Sequence, residues 1–580
     1  MIDFFDNHIK SYLDNDSNLD KSEIDAIKKK YKTEITDDLG KGHITTNVAL
    51  VAGSMLGENP RNIASNIKAF LNDLAEIDSI EIAGPGFLNI FLNRTFFSNI
   101  ISQSLSLGSK FGTSSIGNGK KIQIEFVSAN PTGPLHVGHG RGAAFGDAIG
   151  KILTANGYSV FKEYYINDAG RQIDILTVSV MLRIFRCFSE PEFPSSGYKG
   201  KYIQDISKVI KRETILTNDL IKEIISKLPT DPEEEIDYLI LEFQAQDPEL
   251  WKEVKQKSLE IVLKSIKDDL KDFKVEFDEW YFESSLGFLD DKNSKISSAI
   301  QQLKDKDLAY EKNGALWLKT DDAGDDKDRV LVREDGRATY FASDVAYHKH
   351  KVDRGFDKLI NVWGADHHGY IKRIEASLEG LGFSKEKLFV QLVQFANLFE
   401  GKKRLKMSTR SGSFYTLKDL ISEIGVDAAR FYYLSKQADQ HLDFDIELAK
   451  SQNKENLIFY IQYAHARISS VQAKYKLNKI DLPKAHTAIE MGRYMACDQL
   501  IHESSKFPGI IQRAAETLQP HLIVFYLRDL SHLLHSFYND NPILKESEEN
   551  QESIIRSLSL VKLVISSGLD LLGIKALDKM

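Results

Sequence analysis

Four residues, His136-Val137-Gly138-His139, separate a strand-like run, Ile122-Gln-Ile-Glu-Phe-Val127, from a small-residue segment, Gly140-Arg-Gly-Ala-Ala-Phe-Gly-Asp147. A strand, a glycine-containing turn and a helix in this order are typical of a nucleotide-binding turn on a parallel sheet. Glycines at 138 and 140 would let a purine or a phosphate approach the N–H groups of the helix N-terminus. The two imidazoles could then donate to phosphate oxygens. The alternative is a histidine pair satisfied within its own turn.

Strand-like sequence returns at three later places, 158–165, 358–363 and 388–393. This alternation of strands and helices predicts a doubly wound, Rossmann-like parallel sheet in a domain of about 111–450. A charged, helix-rich stretch from about 185 to 275 interrupts the alternation and predicts an insertion. The fold class is therefore α/β.

Different patterns occupy the two ends of the chain. In residues 1 to about 110, Asn59-Pro60 is a good helix opening, and the runs 79–83 and 87–92 flank Gly84-Pro85-Gly86 as two strands around a turn. An α+β module is predicted there. Apolar residues at helical spacing after about 450 predict an all-α domain over 451–580.

Composition limits the class of protein. The 580 residues are 42% hydrophobic and 27% charged with a net charge of −9, which is ordinary for a globular protein and leaves only local basic patches for a nucleic acid. Two cysteines are too few for a disulfide framework or a thiolate zinc site. The start, Met1-Ile-Asp-Phe-Phe-Asp6, has no signal-peptide character, and no segment has membrane-spanning length. We expect a cytoplasmic enzyme.

Two common nucleotide-binding devices are excluded by spacing. Gly138-His-Gly-Arg-Gly142 lacks the G-x-G-x-x-G register of dinucleotide-binding turns, and the chain has no G-x-x-x-x-G-K-[ST] phosphate loop. A second motif, Lys406-Met407-Ser408-Thr409-Arg410, supplies a cationic segment of the kind that closes on a triphosphate. Its alternative reading is a solvated basic run, 402–406.

Together these motifs resemble a known family. His136-Val137-Gly138-His139 resembles the His-Ile-Gly-His signature of class I aminoacyl-tRNA synthetases, and residues 406–410 resemble their Lys-Met-Ser-Lys-Ser loop. The arginyl enzymes of bacterial type are indicated by a set of further segments: Glu125-Phe-Val-Ser-Ala-Asn130-Pro-Thr-Gly-Pro134, Tyr164-Tyr-Ile-Asn-Asp168-Ala-Gly-Arg-Gln172, Tyr340-Phe-Ala-Ser-Asp344, Val362-Trp-Gly-Ala-Asp-His367-His368 and Asp427-Ala-Ala-Arg430. Thr409 departs from the pattern, since the second lysine usually stands there.

The resemblance implies a two-step ligase reaction. Arginine attacks the α-phosphorus of ATP to give arginyl-adenylate and pyrophosphate, and the 2′-hydroxyl of the terminal adenosine of tRNA(Arg) then takes the arginine. Catalytic roles are implied for His136, His139 and Lys406. ATP would be bound by these residues and by Gly138, Met407, Ser408 and Arg410. Whether Lys406 or Arg410 matters more stays open. The resemblance also implies that the first step needs tRNA.

Arginine recognition needs carboxylates that accept paired hydrogen bonds from a planar guanidinium. By resemblance these are Asp344 and Glu283, with Tyr340 beside the substrate side chain. Asn130, Glu125 and His367 would orient its α-amino and carboxylate end. Glu125 could instead pair with a neighbouring cation of the protein. Asp366-His367-His368 invites a metal interpretation, but no third ligand stands at a suitable spacing, so we expect Mg²⁺ held by ATP phosphates and no protein-bound transition metal.

The terminal domains would bind tRNA. The resemblance implies an N-terminal module that contacts the outer corner of tRNA through Phe87 and Asn89, and a C-terminal anticodon-binding domain. Unstacked bases need aromatic and arginine platforms. Candidates in the C-terminal domain are Tyr460, Tyr463, His465 and Arg467, some of which helical spacing places in the core. We expect a monomer. Two alternatives are a catalytically inactive tRNA-binding paralogue, which would be expected to lose the histidine pair or the carboxylates, and a free-standing nucleotidylyltransferase, which would not need the helical tail.

Overall fold

The computed structural model describes residues 2–16, 19–189, 192–210, 216–321, 324–401, 403–404, 414–475, 497–541, 543 and 548–580. Within them the chain forms an N-terminal α+β unit, a central domain on a parallel sheet and a C-terminal set of helices. The predicted fold class is therefore confirmed. Among these residues, no helix combines the length and the apolar character needed to cross a lipid bilayer.

The N-terminal unit comprises α1 (Ile2–Asp14), α2 (Lys21–Lys30), β1 (Thr33–Ile35), β2 (Ile44–Thr46), α3 (Val48–Leu56), α4 (Pro60–Leu71), β3 (Ile77–Ala83), β4 (Phe87–Leu92) and α5 (Arg94–Leu107). Its strands form an antiparallel sheet in the order β1-β2-β4-β3. Helix α4 begins as predicted, because the Asn59 side chain accepts a hydrogen bond from the N–H of Arg61 and Pro60 takes the first helical position.

The central domain begins with β5 (Lys121–Glu125), α6 (Val137–Ala155), β6 (Ser159–Ile166) and α7 (Arg171–Ile184). The stretch predicted as an insertion contains α8 (Lys201–Val209), α9 (Asn218–Ser226), α10 (Pro232–Gln246) and α11 (Pro248–Asp272). The domain continues with β7 (Glu279–Phe282), α12 (Lys295–Asp305), β8 (Ala309–Lys312), β9 (Ala315–Leu318), β10 (Arg329–Val332), α13 (Tyr340–Asp353), β11 (Lys358–Gly364), α14 (Ile371–Gly380) and β12 (Leu388–Val393).

Five parallel strands form the central sheet, in the order β12-β11-β5-β6-β7. Strand β5 pairs with β6 on one side and with β11 on the other, so the direction of winding reverses beside β5. Open parallel sheets bind their ligands at the carboxyl ends of the strands at such a position. The strand predicted to reach Val127 ends at Glu125, because Val127 and Ser128 have φ angles of 68° and 40°. A β-branched residue in this region is strained.

Two small sheets were not predicted. Strands β8, β9 and β10 form an antiparallel sheet in the order β10-β9-β8. After β12 the chain forms β13 (Ala396–Glu400), β14 (Lys403–Arg404), α15 (Leu417–Ile424), α16 (Val426–Leu434), β15 (Leu442–Asp445) and α17 (Ile446–Lys450), with the strands in the order β14-β13-β15. Strands of two to five residues carry too little alternation of polar and apolar residues to be recognised in a sequence.

The C-terminal helices are α18 (Leu457–Lys474), α19 (Asp498–Ser505), α20 (Phe507–Thr517), α21 (His521–Asp540) and α22 (Glu548–Leu571). One apolar core joins them to the N-terminal unit and to α6, and a second core lies around α12, α13 and α14. The buried guanidinium of Arg430 marks the junction. It donates to Oδ2 of Asp147 on α6 at 2.6 Å and to the carbonyl oxygen of Leu572, just after α22, at 2.9 Å.

Candidate active site

The predicted nucleotide-binding turn lies at the N-terminus of α6, where His136 is the N-cap residue. Nδ1 of His136 accepts a hydrogen bond from the N–H of Gly138 at 3.0 Å, and Nδ1 of His139 accepts one from the N–H of His136 at 3.2 Å. Because a backbone N–H only donates, both rings carry their proton on Nε2. Burial lowers the pKa of His136, and burial together with His136 lowers the pKa of His139 to about 3. Both imidazoles are therefore neutral donors.

The two glycines of the turn have different surroundings. A Cβ atom on Gly138 would lie 2.7 Å from Cε1 of His136 and 3.3 Å from Cδ1 of Phe395, a ring that is exposed. A Cβ atom on buried Gly140 would lie 2.7 Å from Cε2 of Tyr433. The expectation that Gly140 makes room for a ligand is therefore wrong: Tyr433, whose hydroxyl donates to the carbonyl of Val137 at 2.7 Å, fills that space.

Lys406, Met407, Ser408 and Arg410 lie outside the described residues. The segment that follows them is held against the turn of α6. The N–H of Val137 donates to the carbonyl of Tyr415 at 3.3 Å, and the N–H of Leu417 donates to the carbonyl of Leu135 at 2.8 Å. The chain that leaves the cationic motif therefore lies beside the histidine pair, although the two motifs are far apart in sequence.

A cavity of about 200 Å³ opens at the histidine pair. Both imidazoles line it together with Asn130, Gln172 and Tyr202. The Tyr202 hydroxyl donates to the carbonyl of Thr132 at 2.8 Å, which connects the insertion to the loop after β5. The structure thus brings Asn130 next to His136 and His139, as the sequence-based assignment requires.

Three predicted carboxylates converge on Tyr165 of β6, whose pKa is raised by burial and then by Glu283, Asp344 and Glu125. Asp344 lies on α13, and its Oδ2 accepts a hydrogen bond from the Tyr370 hydroxyl. Burial, opposed by this hydrogen bond and reinforced by Glu283 and Glu125, raises the pKa of Asp344 to about 7. The three carboxylates thus cluster around Tyr165, and this cluster is named the acidic pocket.

Glu283 follows β7 and is 9% exposed. Burial raises the pKa of its carboxyl group and Asp168 adds to the rise, while hydrogen bonds from Ser343 and Tyr165 oppose it. Among the residues that the structure describes, none donates a hydrogen bond to its Oε2 atom. A buried carboxylate oxygen without a donor is costly, and a bound cationic donor would satisfy it.

Glu125 pairs with a cation of the protein, which was the alternative interpretation of this residue. Its Oε2 atom contacts Nζ of Lys351, and its Oε1 accepts a hydrogen bond from Oγ of Ser128 at 2.9 Å. Both members of the ion pair are buried. Glu125 therefore belongs to the acidic pocket but already has an internal counter-ion.

The remaining predicted substrate residues are exposed. Tyr340 is 54% exposed at the start of α13, and its hydroxyl lies 3.0 Å from the position of a Cβ atom on Gly170. His367 lies in the turn before α14, with Nε2 3.8 Å from Oδ2 of Asp366. Within the described ranges, no group of three or more His, Cys, Asp or Glu side chains could hold a metal ion.

Comparison with known proteins decides the family. The sequence model described as tRNA synthetases class I (R), catalytic domain, matches residues 100–453, the DALR anticodon binding domain matches 461–580, and the arginyl tRNA synthetase N terminal domain matches 6–92. The chain belongs to the arginyl-tRNA synthetase family. It is accordingly an enzyme, a ligase of the aminoacyl-tRNA synthetase class.

Individual relatives agree with this family. The chain is 44% identical to an arginine–tRNA ligase of Legionella pneumophila (strain Corby) over 95% of each chain. It is 43% identical to an arginine–tRNA ligase of Thioalkalivibrio sulfidiphilus over 94% of each chain. The arginyl-tRNA synthetase of Thermus thermophilus has the same fold, with a TM-score of 0.71 at 20% identity over 97% of this chain and 99% of that chain. None of these findings favours a catalytically inactive paralogue.

The two residues predicted to contact tRNA, Phe87 and Asn89, both lie in the N-terminal domain but differ in solvent exposure. Phe87 is 39% exposed at the start of β4. Asn89 is only 8% exposed, because its Oδ1 accepts a hydrogen bond from Oγ1 of Thr45 on the neighbouring strand at 3.1 Å. Of the two, only Phe87 presents its side chain to solvent.

In the anticodon domain, three of the four candidates line one cavity of about 380 Å³: Tyr460, Tyr463 and Arg467, together with His532 and His535. Tyr463 stacks on His535, with centroids 5.6 Å apart, and the Arg467 guanidinium lies 3.7 Å from the Tyr538 ring centroid. His465, the fourth candidate, lies in the core of the helical domain. Its Nδ1 is hydrogen-bonded to the carbonyl oxygen of Leu577 at 2.8 Å.

Several polar residues around the acidic pocket were not predicted from the sequence. Lys351, Asn361 and His348 form a buried network behind Glu125 and Asp344, and Tyr370 binds Asp344 directly. One signal was available. Positions 344, 348 and 351 fall on one face of a helix, and a polar face of this kind next to a predicted site residue indicates further site residues.

Proposed function

We propose that this enzyme forms arginyl-adenylate in the space between the neutral histidine pair of α6 and the acidic pocket formed by Glu125, Glu283 and Asp344. The observation that carries the proposal is the buried Oε2 atom of Glu283, to which no described residue donates, beside a second carboxylate of raised pKa, Asp344. A guanidinium supplies several donors in one plane, which matches two carboxylates better than a single ammonium group does.

On the nucleotide side, His136 and His139 donate from Nε2 to the phosphates of ATP. Neutral donors lose less on desolvation than cations do, and they gain strength as charge develops on the pyrophosphate during the attack. Gly138 lies at the exposed start of the helix and gives ATP access to the backbone N–H groups. Lys406 supplies the cationic charge for the leaving pyrophosphate, assisted by Arg410, with Met407 and Ser408 alongside.

On the amino-acid side, Asp344 and Glu283 accept the guanidinium hydrogen bonds, and Tyr340 covers the substrate side chain. Asn130 lines the cavity at the histidine pair, so it can position the α-amino and carboxylate end next to the α-phosphorus. Glu125 contributes from its ion pair with Lys351. His367 would help to orient the α-amino and carboxylate end of the substrate.

The reaction needs no nucleophilic side chain of the protein. An oxygen of the arginine carboxylate attacks the α-phosphorus of ATP, and the bond to pyrophosphate breaks. The 2′-hydroxyl of the terminal adenosine of tRNA(Arg) then attacks the mixed anhydride and releases AMP. Catalysis comes from positioning and from charge stabilisation. Mg²⁺ would be held mainly by the phosphates of ATP, because it prefers oxygen ligands and keeps several of its waters.

The tRNA would extend over both terminal domains. We assign residues 1–110 to contacts outside the anticodon, with Phe87 as the exposed contact and Asn89 supporting its strand. We assign 451–580 to the anticodon, with the groove at Tyr463 and Arg467 as the stacking surface. The catalytic domain is 111–450, with the insertion at about 185–275. We further propose that the enzyme acts as a monomer in the cytoplasm.

ATP–pyrophosphate exchange with each of the 20 amino acids, with and without tRNA(Arg), tests this function. We expect exchange with arginine alone, and only when tRNA is present. Exchange with another amino acid at a comparable rate would contradict the guanidinium pocket. Exchange without tRNA would contradict only the dependence of the first step on tRNA.

A further inference from the structure

Lys351 is a buried cation to which the proposed mechanism gives no role. Its side chain has no exposed surface, and its Nζ contacts Oε2 of Glu125. Nζ also donates to Oδ1 of Asn361 at 2.9 Å and lies 4.3 Å from the ring centroid of Tyr347. Two of its three donors are used by the carboxylate and the amide oxygen, and the Tyr347 ring packs against the ammonium group. The group is therefore held in one position.

In the hydrogen bonds that lead from Lys351 through Asn361 to His348, donor and acceptor can be assigned in only one way. Because Oδ1 of Asn361 accepts from Lys351, its Nδ2 donates to Nε2 of His348, 2.7 Å away. Nδ1 of His348 therefore carries the proton and donates to the carbonyl oxygen of Asp344 at 2.8 Å. Burial and the Lys351 charge lower the pKa of His348 to about 3, which keeps this ring neutral.

This chain of hydrogen bonds connects two sides of the arginine pocket. Glu125 lies on β5 and Asn361 is its direct partner on β11, whereas Asp344 and Lys351 lie on one face of α13. These hydrogen bonds therefore tie α13, which carries Asp344, to β5, which carries Glu125, and to β11, which carries Asn361. The distance between Glu125 and Asp344 depends on them.

We propose that Lys351 is a positioning residue for arginine recognition: it holds Glu125 directly and the backbone of Asp344 through Asn361 and His348. It leaves Asp344 and Glu283 as the carboxylates available to the substrate guanidinium. Lys351 itself does not touch substrate. The inference rests on the proposed arginine pocket and adds to it the residue that orders its acidic groups.

The main test is a double-mutant cycle between Lys351 and Glu125, measured as KM for arginine and for ATP in tRNA-dependent exchange. Lys351→Met leaves Glu125 as an unpaired buried anion, so we expect KM for arginine to rise at least tenfold while KM for ATP stays within about twofold. In the Glu125→Gln background the same change should add no more than about threefold, because only the link to Asp344 through Asn361 and His348 remains to be lost. Effects that multiply in the double variant would overturn the proposal.

Two comparisons exclude a merely structural effect. Lys349→Met removes a lysine from the same helix whose Nζ pairs with Oδ2 of Asp353 at 2.6 Å, and KM for arginine should not change. If Lys351→Met does not fold, Glu125→Gln and the double variant still decide the question, since neither retains an unpaired buried anion. An arginine KM in the double variant no more than about threefold above that of Glu125→Gln supports the proposal, and a further rise of about tenfold contradicts it.

The result is distinguishable from a failure of the pocket itself. If Asp344→Asn and Glu283→Gln leave arginine kinetics unchanged, the proposed pocket is wrong. If those variants lose arginine but Lys351→Met has normal KM values, the pocket stands and the positioning role of Lys351 is wrong.

Discussion

The imidazole rings of His136 and His139 stack with their centroids 3.7 Å apart and their planes inclined by 26°. Each ring uses Nδ1 as an acceptor for a backbone N–H at the start of α6, so each carries its proton on Nε2. His136 caps the helix through Nδ1, and in the proposed mechanism it donates to phosphate through Nε2.

Substitution of His136 can separate these functions. Asparagine preserves the N-cap acceptor but removes the Nε2–H donor, so His136→Asn should lower exchange by about 10²- to 10³-fold with little change in the free energy of unfolding. His136→Ala removes both and should also lose about 1 kcal/mol of unfolding free energy. Exchange kinetics and urea denaturation of both variants provide the measurement. Normal exchange in His136→Asn would contradict the donor role.

The Asp344→Asn variant tests which carboxylate binds the guanidinium group of arginine. The change keeps the shape of the side chain but removes its charge and points a donor at the donors of the guanidinium. We expect kcat/KM for arginine to fall by more than about a hundredfold, which corresponds to the 3 to 5 kcal/mol typical of a broken buried ion pair. ATP binding should not change. Near-normal arginine kinetics would identify Glu283 as the main guanidinium acceptor.

The raised pKa of Asp344 predicts a pH dependence of arginine binding. The carboxyl group is buried near Glu283 and Glu125, with Lys351 and the Tyr370 hydroxyl opposing the shift, and its pKa is about 7. Below that pH it is mostly neutral and accepts a guanidinium poorly. KM for arginine should therefore be constant above about pH 8 and rise towards about tenfold per unit below pH 7. The Asp344→Asn variant should lose this dependence. A flat profile in wild type would show that arginine binding does not depend on ionisation of Asp344.

The groove in the helical domain predicts a separate effect on tRNA. The Tyr463 ring is 42% exposed and stacks on the Phe459 ring with an interplanar angle of 8°. If it is a base platform, Tyr463→Ala should raise KM for tRNA by about 5- to 150-fold, the equivalent of 1 to 3 kcal/mol per stacked base. Exchange at saturating tRNA should be unchanged. A change in the exchange rate with an unaltered tRNA KM would assign Tyr463 to catalysis or folding instead.

The sequence predicted much of the fold and part of the site. Local patterns were sufficient for four of the five strands of the parallel sheet, all but β7, and for the N-cap at Asn59 and the turn at His136, since each depends on neighbouring residues. They failed for β8 to β10, whose strands of four residues are too short to show an alternation of polar and apolar residues, although Asn313-Gly314 between β8 and β9 is a hairpin signal. The assignment of Gly140 to ligand access failed for a different reason, because Tyr433 lies almost 300 positions away.

By itself, the sequence determined the family, the order of the domains and the chemical type of the site residues, since motif spacing and side-chain identity are properties of the chain. Only the tertiary structure decided which carboxylates remain available. Glu125 is paired because α13 brings Lys351 against β5, whereas Oε2 of Glu283 receives no hydrogen bond from any described residue. Burial and charge pairing depend on distances in space between residues more than 200 positions apart, and those distances exist only after the sheet has formed.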